Sequence, residues 1–288
     1  RTLCGLEEGV EQIDWSKSQK GPVEVALLAA DLKAGRAGAA VNSMTVDGND
    51  IFGTKRYVPE AKHKYLDMSG WKAMCEAMKT SSTITSFSAA DVDMNPEAAA
   101  LLADAIKLMA ALNDVNVAFN KIGAEGGIAL RDALKTSSVK FVGIGKMYTT
   151  GEDGSAVTYS QLTPGVTLST NGRSGEFLKF HDDSPSHIKL KWTDNGTESE
   201  WMELNSLDAV PLKLPLQSPF EGEHLDLAHQ KLDPGHIMIL SWWLTTEFSG
   251  AINSVTVDST GDTQNDYGGW GNGGPKTYTL TAGEEHLE

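Results

Sequence analysis

Residues 112–126 read LNDVNVAFNKIGAEG. Leu112, Val115 and Val117 place apolar side chains at the first, fourth and sixth positions, Asn120 stands at the ninth, and Ile122-Gly123 follows. Alternation across Val115 and Val117 suits a short strand, and residues 127–134 continue at helical spacing. One strand, one turn and one helix cannot bury their own apolar sides, so the stretch predicts similar units stacked on either side.

Those neighbours are in the sequence. Val41, Met44, Val46, Asn49 and Ile51 repeat the spacing without a gap, and Ile84, Phe87, Ala89 and Met94 repeat it with Val92 in the asparagine place. Val10, Ile13, Trp15 and Ser18 make a fainter unit in front, and Val139, Val142, Ile144 and Met147 make another behind. The starts lie 31, 43, 28 and 27 residues apart. Alanine-rich stretches of helical period occupy residues 23–33, 97–109 and 127–134. The longest interval holds an insertion, residues 54–68, with no clear period, which reads as a surface loop.

This pattern resembles the ribonuclease-inhibitor type of leucine-rich repeat, whose units pair each strand with a full α-helix. The resemblance implies that Asn49 and Asn120 hydrogen-bond strand backbone at the turn, a structural role. Ser18 and Val92 depart from the pattern and predict looser turns there. It also implies that strand residues alternating with the core line a concave face used for protein partners: Thr45, Asp47, Asn116, Ala118, Asp226, Thr256 and Asp258.

Residues 223–258 echo residues 11–47, sharing E-x-(I/L)-D-(W/L), a proline, a leucine-bearing helix and N-S-x-T-V-D, which reads as an internal duplication. Residues 279–288 (TLTAGEEHLE) resemble residues 2–14, so the chain is expected to end where a new unit begins. With Arg1 in place of an initiator methionine, a processed product or a segment of a longer array is expected.

Between the two blocks helical periodicity is lost. Short alternating runs at residues 166–168, 175–180, 188–192 and 200–203 are separated by Asn171-Gly172, Asp182-Asp183-Ser184-Pro185 and Asn195-Gly196. Asn195-Gly196 is a strong hairpin signal. The run I-K-L-K-W, D-N-G-T, E-S-E-W-M-E-L and a closing S-L resembles a Src-homology-3-like small barrel over about 45 residues. Trp192 and Trp201 read as packed or half-packed strand residues.

Charge is unevenly placed. The total is −15, but residues 1–150 hold 17 Lys and Arg against 18 Asp and Glu, residues 151–212 hold 4 against 10, and residues 213–288 hold 3 against 11. The one basic cluster is Lys55, Arg56, Lys62, His63 and Lys64. Phosphate recognition needs cationic stripes, so nucleic acid is a poor partner. The longest apolar run, residues 237–244, is interrupted by Ser241 and is far short of the roughly 20 residues of a membrane span. Cys4 and Cys75 sit in different units and make no disulfide framework.

Few motifs carry chemistry. His224, His229 and His236 with Asp226 and Asp233 are metal-ligand types, yet their spacing straddles a strand, a turn and a helix start, and they read as surface histidines. Asp258, Asp262 and Asp266 supply oxygen ligands without the spacing of a calcium loop. Residues 267–275 (YGGWGNGGP) lack the Lys-Ser/Thr of a phosphate loop and read as a connection in which Trp270 suggests a partner contact. Trp242 and Trp243 are adjacent on a helix, so at most one faces the core squarely. Asn195-Gly196-Thr197 matches a glycosylation acceptor. No catalytic residue, metal or cofactor is expected.

The expected fold is therefore α/β: a leucine-rich-repeat solenoid over residues 1–150, a small all-β barrel over 155–212, and further repeats over 213–288 ending mid-repeat. The expected function is a non-catalytic structural protein that stacks head to tail into a fibre or extended array. Its assembly contacts would be Thr2, Leu3, Ile13 and Trp15 at the head and Trp270, Leu280 and Leu287 at the tail. The alternative is a scaffold binding a basic protein partner on the concave face. A fibre would suit the extracellular space and a scaffold the cytoplasm.

Overall fold

Ile13, Met44, Phe87, Val115 and Val142, the fourth residue of each sequence unit, are register partners across one parallel sheet. The computed structural model describes residues 2–7, 9–36, 40–53, 66–151, 155–258 and 277–281. They fall into two units, Arg1–Ile144 with Lys213–Glu221 and Lys231–Ala251, and Gly145–Leu212 with Gly222–Gln230 and Ile252–Glu288.

In the first unit, strands β1 (Gln12–Asp14), β2 (Ser43–Thr45), β3 (Ser86–Ser88), β4 (Asp114–Asn116) and the opening residues, to Ile144, of β5 (Phe141–Thr149) lie side by side in sequence order. Helices α1 (Pro22–Lys33), α2 (Ser69–Met78), α3 (Pro96–Ile106) and α4 (Gly123–Leu134) make the crossings between them. Each strand is only three residues deep in the shared register, so the apolar residue at its centre points one way and its two neighbours the other. All five central residues are buried, as are Val41, Ile84, Leu112 and Val139, the first positions of their units. The repeat period is thus read out directly as sheet register and core.

The helices start where local chemistry allows. Pro22 and Pro96 occupy first-turn positions, where the missing N–H costs nothing. Asn95 Oδ1 accepts from Ala98 N at 2.8 Å, and Glu24 folds back to accept from Gly21 N at 2.8 Å. A fifth helix, α5 (Pro234–Leu244), packs on α4. Its capping residue Asp233 accepts from His236 N at 3.0 Å and, through the other oxygen, from Gly123 N at 2.6 Å. The two helices meet at glycines: a Cβ on Gly127 would stand 2.3 Å from Gly235 O. Trp243 is buried with its indole N–H donating to Pro215 O at 2.7 Å, while Trp242 stays half-buried beneath the Lys135 ammonium.

Strands β1 to β4 are each followed by a left-handed residue at the eighth repeat position: Lys17 (φ 51°), Gly48 (φ 69°), Asp91 (φ 53°) and Phe119 (φ 59°). Asn120 serves two units at once there. Its Nδ2 donates to Ala89 O, Val117 O and Ala118 O at 2.7, 3.0 and 3.3 Å, and its Oδ1 accepts from Val92 N and Met94 N at 3.1 and 2.9 Å. Asn49 does the same, donating to Trp15 O, Val46 O and Asp47 O and accepting from Lys20 N. Ser18 reaches only Trp15 O.

In the second unit, β6 (Ala156–Val157) pairs antiparallel with Tyr148 and Thr149 of β5. Strands β7 (Thr167–Thr170), β8 (Arg173–His181), β9 (Ser184–Trp192) and β10 (Met202–Glu203) form an antiparallel sheet in the order β10-β9-β8-β7. Asn171 and Gly172 both have positive φ, 50° and 75°, the requirement of a tight hairpin turn that follows the strand twist. Asn195-Gly196 sits in the predicted β9–β10 hairpin, closed by Gly196 N to Trp192 O at 2.8 Å. Tyr148, Leu162, Leu168, Phe177, Ile188, Leu190, Leu204 and Leu207 form the core beneath this sheet. Strand β11 (Ala209–Pro215) lies beside β5.

The echo of residues 11–47 in residues 223–258 is matched in strand pairing and turn geometry. Strands β12 (His224–Leu227) and β13 (Ser254–Asp258) pair in parallel as β1 and β2 do. Asn253 N and Ser254 N both donate to Glu223 O, as Asn42 N and Ser43 N donate to Glu11 O. His229 (φ 58°) and Lys231 (φ 50°) repeat the left-handed pair Lys17 and Gln19 (φ 58°). Strand β14 (Thr277–Thr281) runs antiparallel to β13. The echo of the chain's opening over residues 279–288 predicts a new unit whose strand aligns with residues 284–288, which lie outside the described residues. Residues 54–65 with the basic cluster, Asp262, Asp266, Trp270, Leu287 and the side chain of Leu280 lie outside the described residues. No helix among the described residues is long and apolar enough to cross a membrane.

Replacing Asn120 by Ala leaves the Val92 and Met94 amides and three carbonyls without their partner, and is expected to lower unfolding free energy by about 2–4 kcal/mol in a denaturant titration. Ala in place of the exposed Asn195 is expected to change it by less than about 0.5 kcal/mol.

Candidate interaction face

On the side of the first sheet away from the central apolar row, the register makes two rows of side chains. One runs Gln12, Ser43, Ser86, Asp114 and Phe141, the other Asp14, Thr45, Ser88, Asn116 and Gly143. Both are dominated by small hydroxyl, amide and carboxylate groups. Gln12, Asp14 and Phe141 are exposed, and Ser43, Thr45, Ser86, Ser88 and Asp114 are half-buried. Lys213 pairs with Asp114 across this surface.

A hydrogen-bonded relay rigidifies the second row. Asn116 Nδ2 donates to Ser88 Oγ at 2.9 Å, and Ser88 Oγ donates to the Asp47 carboxylate at 2.7 Å. Ala90 N also donates to Asp47 Oδ1 at 2.7 Å. Asn116 is buried because β5 has glycine beside it: a Cβ on Gly143 would stand 2.6 Å from Asn116 Oδ1. Burial pushes the Asp47 carboxyl up to about 6 against the pull of the Ala90 and Ser88 hydrogen bonds, with Asp14 and Asp91 adding like charge.

The concave residues expected from the sequence divide by accessibility. Thr45 and Asp47 are half-buried in the first unit and Asp258 is half-buried in the second. Asn116, Ala118, Asp226 and Thr256 are buried and offer a partner little surface. Ala118 packs inward, and Asp226 is engaged by Ala228 N at 3.0 Å and Ser160 N at 3.2 Å. Of the expected assembly contacts, Ile13 and Trp15 are buried core residues; Thr2 is half-buried and Leu3 is exposed. Asn195 is exposed, its Oδ1 accepting from Thr197 N and Oγ1 at 3.0 and 2.8 Å.

The histidines do not behave alike. His236 is fully buried, contrary to the surface reading, with Nδ1 2.6 Å from Asp233 Oδ1 and Nε2 3.0 Å from Val117 O. His236 holds Asp233 below the usual carboxylate range despite burial, helped by the Gly123 and His236 amides. His224 is exposed and bonds Ser254 Oγ at 2.7 Å, and His229 stacks on Tyr159 with ring centroids 3.7 Å apart. Among the described residues no three metal-ligating side chains converge. Burial pushes the Cys4 thiol up to about 11, with the Asp31 carboxylate adding to it, and burial pushes Cys75 to about 12, so neither is a ready nucleophile.

Sequence reasoning missed Gln230 and Ser88. Gln230 stands at the asparagine position of the duplicated block; its Oε1 accepts from Lys146 N at 2.7 Å and its Nε2 donates to Lys146 O at 3.0 Å. Alignment of residues 11–47 with 223–258 carries the signal, because it sets Gln230 on Ser18.

Because the fold raises the Asp47 pKa, the folded protein keeps a proton that the unfolded chain has already lost between pH of about 4 and 6. Stability at this site is therefore expected to fall as pH rises through that window, by up to about 3 kcal/mol, relative to an Asp47→Asn variant measured by urea titration at each pH. Parallel curves for the two proteins would contradict it. No family model matches the chain, and no curated protein matches it.

Proposed function

We propose that the chain is a non-catalytic, protein-binding repeat scaffold. In this reading both repeat blocks are leucine-rich repeats of the ribonuclease-inhibitor type, and residues 155–212 are a Src-homology-3-like barrel inserted between them. The support for the repeat class is the common left-handed turn residue, the Asn49 and Asn120 amides bridging successive units, and the matching hydrogen bonds of the duplicated block.

The observation that carries the function is the pair of register rows on β1 to β5. They present an extended, prepositioned surface of short polar side chains, with Asp14 in it, Asp47 bonded to its Ser88, and Phe141 as an apolar anchor at one end. Prepositioned groups lose little entropy on binding. The carboxylates suit a basic segment of a protein partner.

A second reading, head-to-tail self-assembly, is favoured by α1. Val23 and Leu27, one helical turn apart, are 65% and 37% exposed. Leu3, tied to the same helix by its N–H on Asp31 Oδ1, is 56% exposed. Strand β1 beside them is an edge strand. The tail of such stacking, residues 284–288, lies outside the described residues.

Titration with an oligolysine peptide, followed by amide chemical shifts, is expected to move Gln12, Asp14, Ser43, Thr45 and Ser86 together and to fade in high salt. Shifts scattered over the chain, or none, would remove the scaffold reading. Negative-stain microscopy at low and high salt tests the second: filaments with a one-chain repeat support it, and uniform particles reject it.

A further inference from the structure

Trp201 is 37% exposed at the residue before β10. Lys179 of β8 and Lys189 of β9 are directly opposite partners in the sheet, and both ammonium groups lie 5.6 Å from the Trp201 ring centroid. His181 meets the same indole edge-on, with ring centroids 4.7 Å apart and planes at 67°. Glu198 pairs with Lys189 at 3.0 Å, and among the described residues Lys179 forms no ion pair.

Like charges placed directly opposite each other weaken a sheet. Cation–π attraction to one indole offsets part of that cost, by about 0.5–1 kcal/mol per exposed pair. A carboxylate at either position would remove the repulsion outright; here two lysines and an exposed ring are kept together. The surrounding segment is acidic, with 4 basic against 10 acidic residues in 151–212. A long polyanion meets that repulsion along its length, over a Debye distance of about 8–10 Å. A short stretch bearing a few carboxylates meets less of it.

We infer that Trp201, Lys179, Lys189 and His181 form a docking site for an acidic peptide segment carrying at least two carboxylates. One carboxylate bonds Lys179, another shares Lys189 with Glu198, and the peptide's aliphatic carbons cover the open part of the indole. Charge complementarity selects this partner. The site lies in the second unit and has the opposite sign to the face on β1 to β5, so it stands independently of the function proposed above.

The test is fluorescence anisotropy of fluorescein-labelled hexaglutamate with the full chain, at low and at physiological salt. Saturable binding is expected that weakens with salt, and that falls about tenfold or more in Lys179→Ala/Lys189→Ala. Binding should persist in Lys179→Arg/Lys189→Arg, which keeps both charges, and in Asp14→Asn. Near-UV circular dichroism of each variant establishes that the fold is retained. Absence of binding, or equal binding by the alanine variant, would overturn the proposal. Capture of a sulfated tetrasaccharide but not of hexaglutamate would overturn it as well, by assigning the lysines to a glycan.

Discussion

A chain that leaves a three-residue strand through a left-handed residue turns its main chain into the protein before its groups have found helical or sheet partners. Buried main-chain groups without partners cost about 1–3 kcal/mol each. Asn49 and Asn120 meet this requirement with one side chain apiece, each amide donating and accepting across two successive units. The short strands, the sheet register and the polar rows beside the core all follow from holding that turn in one geometry. Gln230 shows that the amide matters more than the residue: one methylene longer, it brackets Lys146 from both sides in the same manner.

The two units divide the electrostatic work. On the first sheet, carboxylates sit within a rigid hydroxyl and amide relay, so negative charge is fixed in position but costs desolvation, as the raised Asp47 pKa reflects. On the second unit's sheet, positive charge is gathered around an indole within an acidic segment. Net charge alone, −15, describes neither surface.

Much of the fold is legible in the sequence because it depends on spacing. The first, fourth and sixth apolar positions became the core, and Asn171-Gly172 and Gly196 became turns because few other residues tolerate their positive φ. The helix from Pro96 begins where proline and a capping asparagine stand together. Accessibility was harder to read. Alternation says on which side of a strand Asn116, Asp226 or Thr256 points, not what lies over it, and all three are buried. Strand β14, residues 277–281, was not read as a strand from the sequence, and it pairs antiparallel with β13. His236 gave no local sign of burial, because its partners Gly123 and Val117, reached directly or through Asp233, lie more than a hundred positions away. Trp201 looked like a packed strand residue, but the ordered strand starts one residue later.

The chain leaves the first unit after Ile144 and re-enters it at Lys213, and there Leu216 N donates to Lys140 O at 2.7 Å. Departure and return are therefore held side by side by the first unit's own main chain. Because the entropic cost of closing an excursion grows only with the logarithm of its length, a body of almost any size is tolerated between two such points. Length can therefore be added within the 145–212 excursion, provided that its bonds to the later segments of the same unit, Lys146 to Gln230 and Ser160 to Asp226, are kept.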